Sequence, residues 1–327
     1  MNIRHEWVDR ARGLGIFLVI YGHNFPFLES YIYSFHVPLF FFIAGIFHPK
    51  ERRSEHIVKR AKTILIPYFI WSFLLYIFWL IIGRHVGESS HIDLDPFDGL
   101  IGVFYAQGDV SFMDWGIPMW FLPSIFLTFA IFYICQFFKE IKSQLLLVGI
   151  LITVGFLYPI YFEFKLPWSL DVSLVSLIFY VPGFLLKRKL LEFKPKKKTG
   201  VVTFCFFLLT FIAFFNTKVD MYRSIYGSIP LFIFNGFIGV FFVTLFCKQI
   251  KFFGFFSYLG KCTIPLLALH LRAMSIIKLG LLTIGVSVFT FSEPTKFVLV
   301  FVQIALIWPV ISLANKYIPI LNGKIKK

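Results

Sequence analysis

The sequence predicts an all-α integral membrane protein, a bundle of about ten transmembrane helices in which residues 1–327 form one domain. Three observations predict it. Of all residues, 58% are hydrophobic and only 15% are charged, against about 25% charged residues in soluble domains. Long apolar runs recur from one end of the chain to the other. The net charge of +15 is gathered in alternate loops, so it indicates membrane topology and not a nucleic-acid partner.

Ten predicted spans follow the apolar runs in order. Each is set by a stretch of about 20 residues poor in charge, the length that crosses a bilayer as a helix. The spans cover residues 12–28, 33–48, 63–83, 117–138, 143–162, 170–186, 200–216, 229–247, 262–284 and 296–315.

Basic residues predict the orientation of the bundle. They precede the first span, follow the second, fourth, sixth and eighth, and end the chain; these groups are Arg4 to Arg12, Lys50 to Lys62, Lys139 and Lys142, Lys187 to Lys198, Lys248 to Lys261, and Lys324 to Lys327. With ten spans all of them fall on one side, which the positive-inside rule makes the cytoplasm. The largest opposite loop, from Arg84 to Gly116, is acidic. We therefore expect both termini in the cytoplasm and the chain in the plasma membrane.

The first two spans carry charge where a membrane disfavours it. Asp9, Arg12, His23 and His36 lie in or beside them. Arg12 and His23 are eleven residues apart, which is roughly three helical turns, so they share one face about 16 Å apart. Ionisable groups inside a span usually face a polar path. The alternatives are that Arg12 anchors the topology and that His23 is a satisfied histidine of the bundle.

The ninth span contains three ionisable residues, His270, Arg272 and Lys278. Either it lines a polar interior, or it consists of two short segments bent near Arg272. Pro265 would permit a break, because proline removes a backbone donor. The sequence leaves both alternatives open.

Two further segments have a structural and a functional interpretation. Lys59, Arg60 and Lys62 begin the third span and either anchor the topology or bind the phosphates of a nucleotide donor. Trp120 begins the fourth span and is either an interface anchor or a surface on which a sugar ring stacks. The four cysteines have no metal-binding spacing, so we predict neither a metal site nor a disulfide.

Several motifs together resemble the membrane-bound acyltransferase family 3. They are Asp9-x-x-Arg12-Gly13 with Gly22-His23, HVPLFFFIAG from His36 to Gly45, LIPYFIW from Leu65 to Trp71, and MWFLP from Met119 to Pro123. The resemblance covers the first 125 residues closely. Beyond them it depends on hydropathy and on a late Leu269-His270 pair.

The resemblance implies a ten-span enzyme that moves an acyl group, commonly acetyl, from cytoplasmic acyl-coenzyme A to a carbohydrate hydroxyl. It implies that His23 is the catalytic histidine, that Arg12 is its partner, and that Arg60 is the first arginine of a basic motif. The second arginine of that motif is replaced here by Thr63, for which Lys62 is the nearest compensating cation. Relatives often carry an extra hydrolase-like domain at the C-terminus, and we expect none here.

The expected site has three groups of residues. His23, Arg12 and His36 are the catalytic candidates, Arg60, Lys59 and Lys62 the donor-binding ones, and Asp9, Trp120 and His270 the substrate-binding ones. A histidine suits removal of the hydroxyl proton, and Arg12 can attract the donor phosphates or stabilise an oxyanion.

The expected partners are acyl-coenzyme A as co-substrate, a polysaccharide or its lipid-linked precursor as acceptor, and the bilayer, with no tightly bound cofactor. The main alternative function is a transporter or flippase of glycolipids or polysaccharides, for which an inverted repeat would be expected. We find no such repeat between the two halves. A membrane scaffold is a third alternative, and it leaves the buried charges unexplained.

Overall fold

The structure is a computed structural model that describes residues 5–85, 87–193, 199–213, 215–249, 254–286 and 288–324. Within these ranges the chain is almost entirely helical, and the sole β feature is an isolated bridge between Asp220 and Ile225. The helices are α1 Glu6–Gly22, α2 Glu29–Tyr33, α3 His36–Ile46, α4 Ser54–Ile81, α5 Pro96–Tyr105, α6 Val110–Met113, α7 Phe121–Cys135, α8 Ile141–Tyr161, α9 Leu170–Glu192, α10 Thr199–Ala213, α11 Ile229–Gln249, α12 Gly254–Gly260, α13 Thr263–Thr283 and α14 Glu293–Tyr317.

Eight helical segments of the described chain are long and apolar enough to cross a membrane. They are Glu29–Ile46, Ser54–His85, Ile117–Cys135, Ile141–Tyr161, Pro167–Glu192, Ile229–Gln249, Thr263–Thr283 and Glu293–Tyr317. The all-α membrane fold is thereby confirmed, and every predicted span overlaps a helix. The count of ten and the cytoplasmic termini stay predictions. Some of the lysines and arginines from which that topology was predicted lie outside the described residues, namely Arg4, Lys194, Lys196 to Lys198, Lys251, Lys326 and Lys327.

The structure shifts the first predicted span and shows which form the ninth one takes. The first helix begins at Glu6 and ends at Gly22, six residues earlier at both ends than predicted. It ends there because Phe25 takes a left-handed φ of 51° directly before Pro26, and a proline disfavours helical geometry in the residue before it. The ninth predicted span is one unbroken helix, α13, because Pro265 lies in its first turn, where a missing N–H costs little.

Helix α1 occupies the centre of the bundle. It packs most extensively against α12 and also contacts α3, α11, α13 and α14. Two glycines permit the closest of these approaches: a Cβ on Gly13 would lie 1.8 Å from the Phe256 carbonyl oxygen, and one on Gly260 would lie 1.8 Å from that of Asp9. Small residues of this kind let transmembrane helices approach backbone to backbone. The two helices therefore touch where α1 carries its charged residues.

A second glycine pair joins α3 to α9. A Cβ on Gly45 would lie 1.9 Å from the Tyr180 carbonyl oxygen, and one on Gly183 would lie 2.1 Å from that of Phe42. Because the contact is reciprocal, it fixes both the separation and the register of the two helices. It sets the position of α3, the helix that begins with His36.

The segment between α4 and α7 folds back over one end of the bundle. Trp79 Nε1 donates a 2.6 Å hydrogen bond to the Asp114 carboxylate, and Arg272 donates one of 2.6 Å to the Asp114 carbonyl. The Tyr68 hydroxyl donates to the Val103 carbonyl at 2.7 Å. The Arg84–Gly116 segment, predicted as a loop, thus contains α5 and α6 and is tied to α4 and α13. It brings Trp120, at the start of α7, to the end of the bundle that holds His23.

Candidate active site

One large cavity lies inside the bundle beside α1. Its volume is about 1240 Å³, above the roughly 300–1,000 Å³ of most small-molecule pockets. Asp9, Arg12 and His23 of α1 lie on its wall, together with residues of α3, α4, α7, α9 and α13. Arg12 and His23 share one face, as their spacing predicts, so the cavity extends at least about 16 Å along α1.

The wall is basic at the end where α1 begins. The cations there come from α1, α4, α9, the turn between α12 and α13, and the C-terminal turn; they are Arg12, Lys59, Arg60, Lys187, Lys261 and Lys324, with His5 and His56 beside them. Arg12 donates a 3.2 Å hydrogen bond to Thr263 Oγ1 at the start of α13. The Arg60 guanidinium carbon lies 5.7 Å from the centre of the Phe129 ring. This concentration of cations attracts an anionic ligand.

The C-terminal turn forms part of this basic end. Residues Pro319–Asn322 make a short 3₁₀ helix, after which Gly323 reverses the chain with a φ of +68°. Trp71 Nε1 donates to the Leu321 carbonyl at 2.9 Å, and Asn322 Nδ2 donates to the Lys261 carbonyl at 2.6 Å. These bonds hold Asn322 and Lys324 against the cavity.

The predicted donor-binding residues separate in the structure. Lys59 and Arg60 line the cavity, as does Thr63. Lys62 is exposed and does not belong to the wall, because the helix turns its side chain outward. Lys187, Lys261 and Lys324 line it instead. From the sequence these three lysines were expected only to mark the topology. The one signal for a shared site was that their loops were predicted on the same side of the membrane.

Two histidines and a tyrosine occupy the other end of the cavity. His23 follows the last residue of α1, and His36 begins α3. The Tyr33 ring lies between them, with its centre 6.2 Å from that of His23 and 4.9 Å from that of His36. The short helix α2 makes this possible, because it reverses the chain between the two histidines. All three side chains line the cavity.

Backbone hydrogen bonds fix the tautomer of both histidines. Nδ1 of His23 lies 2.8 Å from the Val19 carbonyl, and Nδ1 of His36 lies 2.9 Å from the Ile32 carbonyl. A carbonyl only accepts, so each Nδ1 carries the hydrogen, and in the neutral ring each Nε2 carries a lone pair. Each ring is therefore oriented to accept a proton at Nε2, the requirement for a general base.

His270 lies behind His23 and not on the cavity wall. It is fully buried, and its ring is 4.9 Å from that of His23 in an edge-to-face arrangement. Gln303 Nε2 donates to the His270 carbonyl at 3.0 Å, and Asn24 Nδ2 donates to Gln303 Oε1 at 3.0 Å. Through these bonds Gln303 of α14 holds both α13 and Asn24, the residue that follows His23. Of the two alternatives for the ninth span, the structure shows the unbroken helix, and its His270 packs against the polar interior.

The three predicted substrate-binding residues do not form one subsite. Asp9 precedes Arg12 by one turn at the basic end, while His270 supports His23 from behind. Trp120 lines the histidine end, where its ring centre lies 6.5 Å from that of Tyr222. Asp220 and Tyr222 also line this end and were not expected from the sequence. Their signal is slight: a short stretch, KVDMYR, between two apolar runs.

Across the described part of the chain, no three His, Cys, Asp or Glu side chains are arranged to hold a metal ion. The four cysteines, Cys135, Cys205, Cys247 and Cys262, are separate from one another. The wall of the cavity offers histidines, cations, carboxylates, hydroxyls and aromatic rings.

In this helical membrane bundle one cavity joins a cluster of cations to two oriented histidines, an arrangement that suits a multi-pass membrane protein for group transfer. Residues 5–313 match the acyltransferase domain of acyltransferase family 3. The match covers nearly the whole chain, so the chain belongs to this family and is a membrane acyltransferase. No curated protein matches it, and no solved structure matches it. Family membership favours the enzyme over the transporter and the scaffold.

Proposed function

We propose that the protein is an O-acyltransferase of the plasma membrane. It moves an acetyl or other short acyl group from cytoplasmic acyl-coenzyme A to a hydroxyl of a cell-surface polysaccharide or of its lipid-linked precursor. One observation carries the proposal: a single cavity joins the basic end to His23 and His36, whose Nε2 atoms are free to accept a proton.

The basic end suits the donor. Coenzyme A carries its negative charge on phosphates at one end and its thioester at the other, joined by a flexible arm. Guanidinium and ammonium groups match phosphate oxygens, and Arg12, Arg60, Lys261 and Lys324 surround this part of the cavity. With the phosphates held there, the arm extends along α1 and brings the thioester to the histidines.

The position of Arg12 favours one of the two roles considered for it. At roughly 16 Å from His23 along the helix, Arg12 is too distant to stabilise an oxyanion that forms at His23. Its hydrogen bond to Thr263 holds it at the basic end. We therefore assign Arg12 to the donor phosphates.

The chemical step uses His23 as the base. His23 Nε2 takes the proton of the acceptor hydroxyl while the hydroxyl oxygen attacks the carbonyl carbon of the thioester. The C–S bond then breaks, and the departing sulfur receives the proton from the imidazolium. The products are the sugar ester and free coenzyme A. The His36 ring centre lies 4.9 Å from that of Tyr33, and His36 provides a second polar contact for the reacting groups. Because both ends open into one cavity, the geometry favours direct transfer without a covalent acyl-enzyme.

The test is release of coenzyme A from acetyl-coenzyme A by purified protein or membranes supplied with the host's polysaccharide. His23→Gln retains a polar side chain of similar length but no base, so turnover should fall at least about 100-fold. His85→Gln, at an exposed histidine in the segment after α4, is the control and should match the wild type. Equal turnover in His23→Gln and the wild type, at equal amounts of folded protein, would overturn the assignment.

A further inference from the structure

The segment between α10 and α11 folds into the histidine end of the cavity. Its residues Val219, Asp220, Met221 and Tyr222 all line the wall. The backbone there is tightly closed: Asp220 N donates to the Ile225 carbonyl at 2.8 Å, and Ile225 N donates back at 3.0 Å. The Ser224 hydroxyl donates a 2.6 Å hydrogen bond to the Asp171 carboxylate of α9. The segment is thus a fixed part of the site.

The Asp220 carboxylate is largely buried and lacks a hydrogen-bond donor. Its side chain is 15% exposed, and its nearest cation, Arg223 Nε, is 3.9 Å away. Lys218 is engaged instead by Glu29 at 2.8 Å. No described residue donates a hydrogen bond to this carboxylate. A buried carboxylate without donors is costly, and this one faces a cavity in which a ligand's hydroxyl groups can supply them.

Two aromatic rings stand beside Asp220. The ring centres of Trp120 and Tyr222 lie 6.5 Å apart, and their planes are inclined by 36°. Lys165 Nζ and the Arg223 guanidinium carbon lie 5.0 Å and 5.2 Å from the Tyr222 ring centre, and Lys165 also donates to the Tyr222 carbonyl at 2.7 Å. These contacts hold the ring in place. Aromatic faces beside a hydrogen-bond acceptor match the C–H face and the hydroxyl edge of a sugar.

Tyr33 connects this group to the histidines. Its hydroxyl lies in the electrostatic field of Asp220, Tyr222 and Arg223, while its ring contacts His23 and His36. A molecule held by Asp220 and the two rings therefore reaches the histidines across Tyr33. The charged groups in and around this segment carry four negative and three positive charges; they are Glu29, Asp109, Asp171, Asp220, Lys165, Lys218 and Arg223.

We propose that Asp220, Trp120 and Tyr222 form the acceptor subsite, in which the Asp220 carboxylate accepts hydrogen bonds from the hydroxyls of one uncharged sugar unit lying against the two rings. The inference rests on the proposed function and specifies its acceptor class. Sugars that bear a carboxylate are disfavoured, because a second negative charge would meet Asp220 and its acidic neighbours.

Binding without the donor tests this inference separately from catalysis. Cellotriose and chitotriose are the neutral probes and trigalacturonate is the anionic one, each titrated into full-length purified protein while tryptophan fluorescence is recorded. We expect saturable quenching by a neutral probe, lost in Trp120→Phe and weakened at least tenfold in Asp220→Asn. Asp93→Asn, at an exposed acidic residue in the segment before α5, should bind like the wild type. Absence of binding by both neutral probes, equal binding by Asp220→Asn, or tighter binding of trigalacturonate would overturn the proposal.

Kinetics separate this proposal from the proposed function. If the wild type transfers acyl groups, Asp220→Asn should raise KM for the acceptor at least tenfold and leave KM for acyl-coenzyme A within about twofold. An unchanged acceptor KM in an active enzyme would overturn the acceptor subsite alone. Sugar binding by a wild type that releases no coenzyme A would overturn the acyltransfer step and leave the sugar site standing.

Discussion

Arg12 and His23 lie on one face of α1, about three turns apart, and line the same cavity. Arg12 is hydrogen-bonded to Thr263 at the basic end, and His23 faces Tyr33 at the other. In the proposed reaction the two residues serve different parts: Arg12 binds the donor's phosphates, and His23 acts on the acceptor hydroxyl. Under that proposal, their separation lets one helix connect the donor site at one end of the cavity with the acceptor site at the other.

His36→Gln should lower kcat by about 10- to 100-fold. The variant keeps a polar group near Tyr33 but loses the lone pair that the Ile32 hydrogen bond directs into the cavity. The rate of coenzyme A release at saturating substrate concentrations measures kcat, and His85→Gln is the control. A variant that folds normally and keeps its full kcat would limit His36 to packing against Tyr33.

Lys324→Ala should raise KM for acyl-coenzyme A by about five- to tenfold, the loss expected for one charge-assisted contact to phosphate. The acceptor KM and kcat should not change, since the phosphates stay bound throughout the reaction. Lys316→Ala removes an exposed lysine of α14 that lies outside the cavity and is the matched control. Equal donor KM values in the two variants would show that the C-terminal turn does not bind the donor.

Gly45→Ala should destabilise the bundle, because its new methyl group would lie 1.9 Å from the Tyr180 carbonyl oxygen. Overpacking of this kind costs roughly 1–3 kcal/mol. In α8, a Cβ added to Gly149 would have no neighbouring atom within 4 Å. Gly149→Ala should therefore be neutral or stabilising by up to about 1 kcal/mol. Thermal unfolding in detergent compares the two variants, and a Gly45→Ala melting temperature equal to that of the wild type would contradict the close α3–α9 contact.

Asp220 should make the stability of the protein depend on pH in an unusual direction. Burial raises the pKa of its carboxyl to about 6, since Arg223 and Lys218 compensate only in part, whereas an unfolded aspartate titrates near ~3.9. The native state therefore binds the proton more tightly, and stability is lost as the pH rises toward and through about 6.

Asp220→Asn removes that charge. We expect it to melt a few degrees above the wild type at pH 7.5 and to differ little at pH 5, where the wild-type carboxyl is mostly protonated in the folded protein. Melting curves at the two pH values, with Asp93→Asn as control, measure the effect. A lower melting temperature for Asp220→Asn at pH 7.5 would mean that a favourable ion pair outweighs the burial of the carboxylate.

Much of the site follows from local patterns. The eleven-residue spacing places Arg12 and His23 on one face, and the apolar stretch after His36 predicts a span at 33–48, within which the helix begins at His36. The position of Lys62, exposed and away from the cavity, could not be predicted from such patterns. This lysine is adjacent to Arg60 in a basic cluster, but an α-helix turns about 100° per residue, and the side of α4 that faces the cavity is decided by its neighbours.

The sequence by itself determined the membrane fold, the approximate spans and the Arg12–His23 face, because these depend on composition and on helical period. Tertiary packing decided the rest. The α1–α12 and α3–α9 glycine contacts fix which helices touch. The C-terminal turn brings Lys324 to the basic end of the cavity, and the segment before α11 brings Asp220 to the histidine end. The glycine contacts join residues more than a hundred positions apart, so a local sequence pattern cannot predict them. For the same reason His270, expected at the substrate, is found supporting His23.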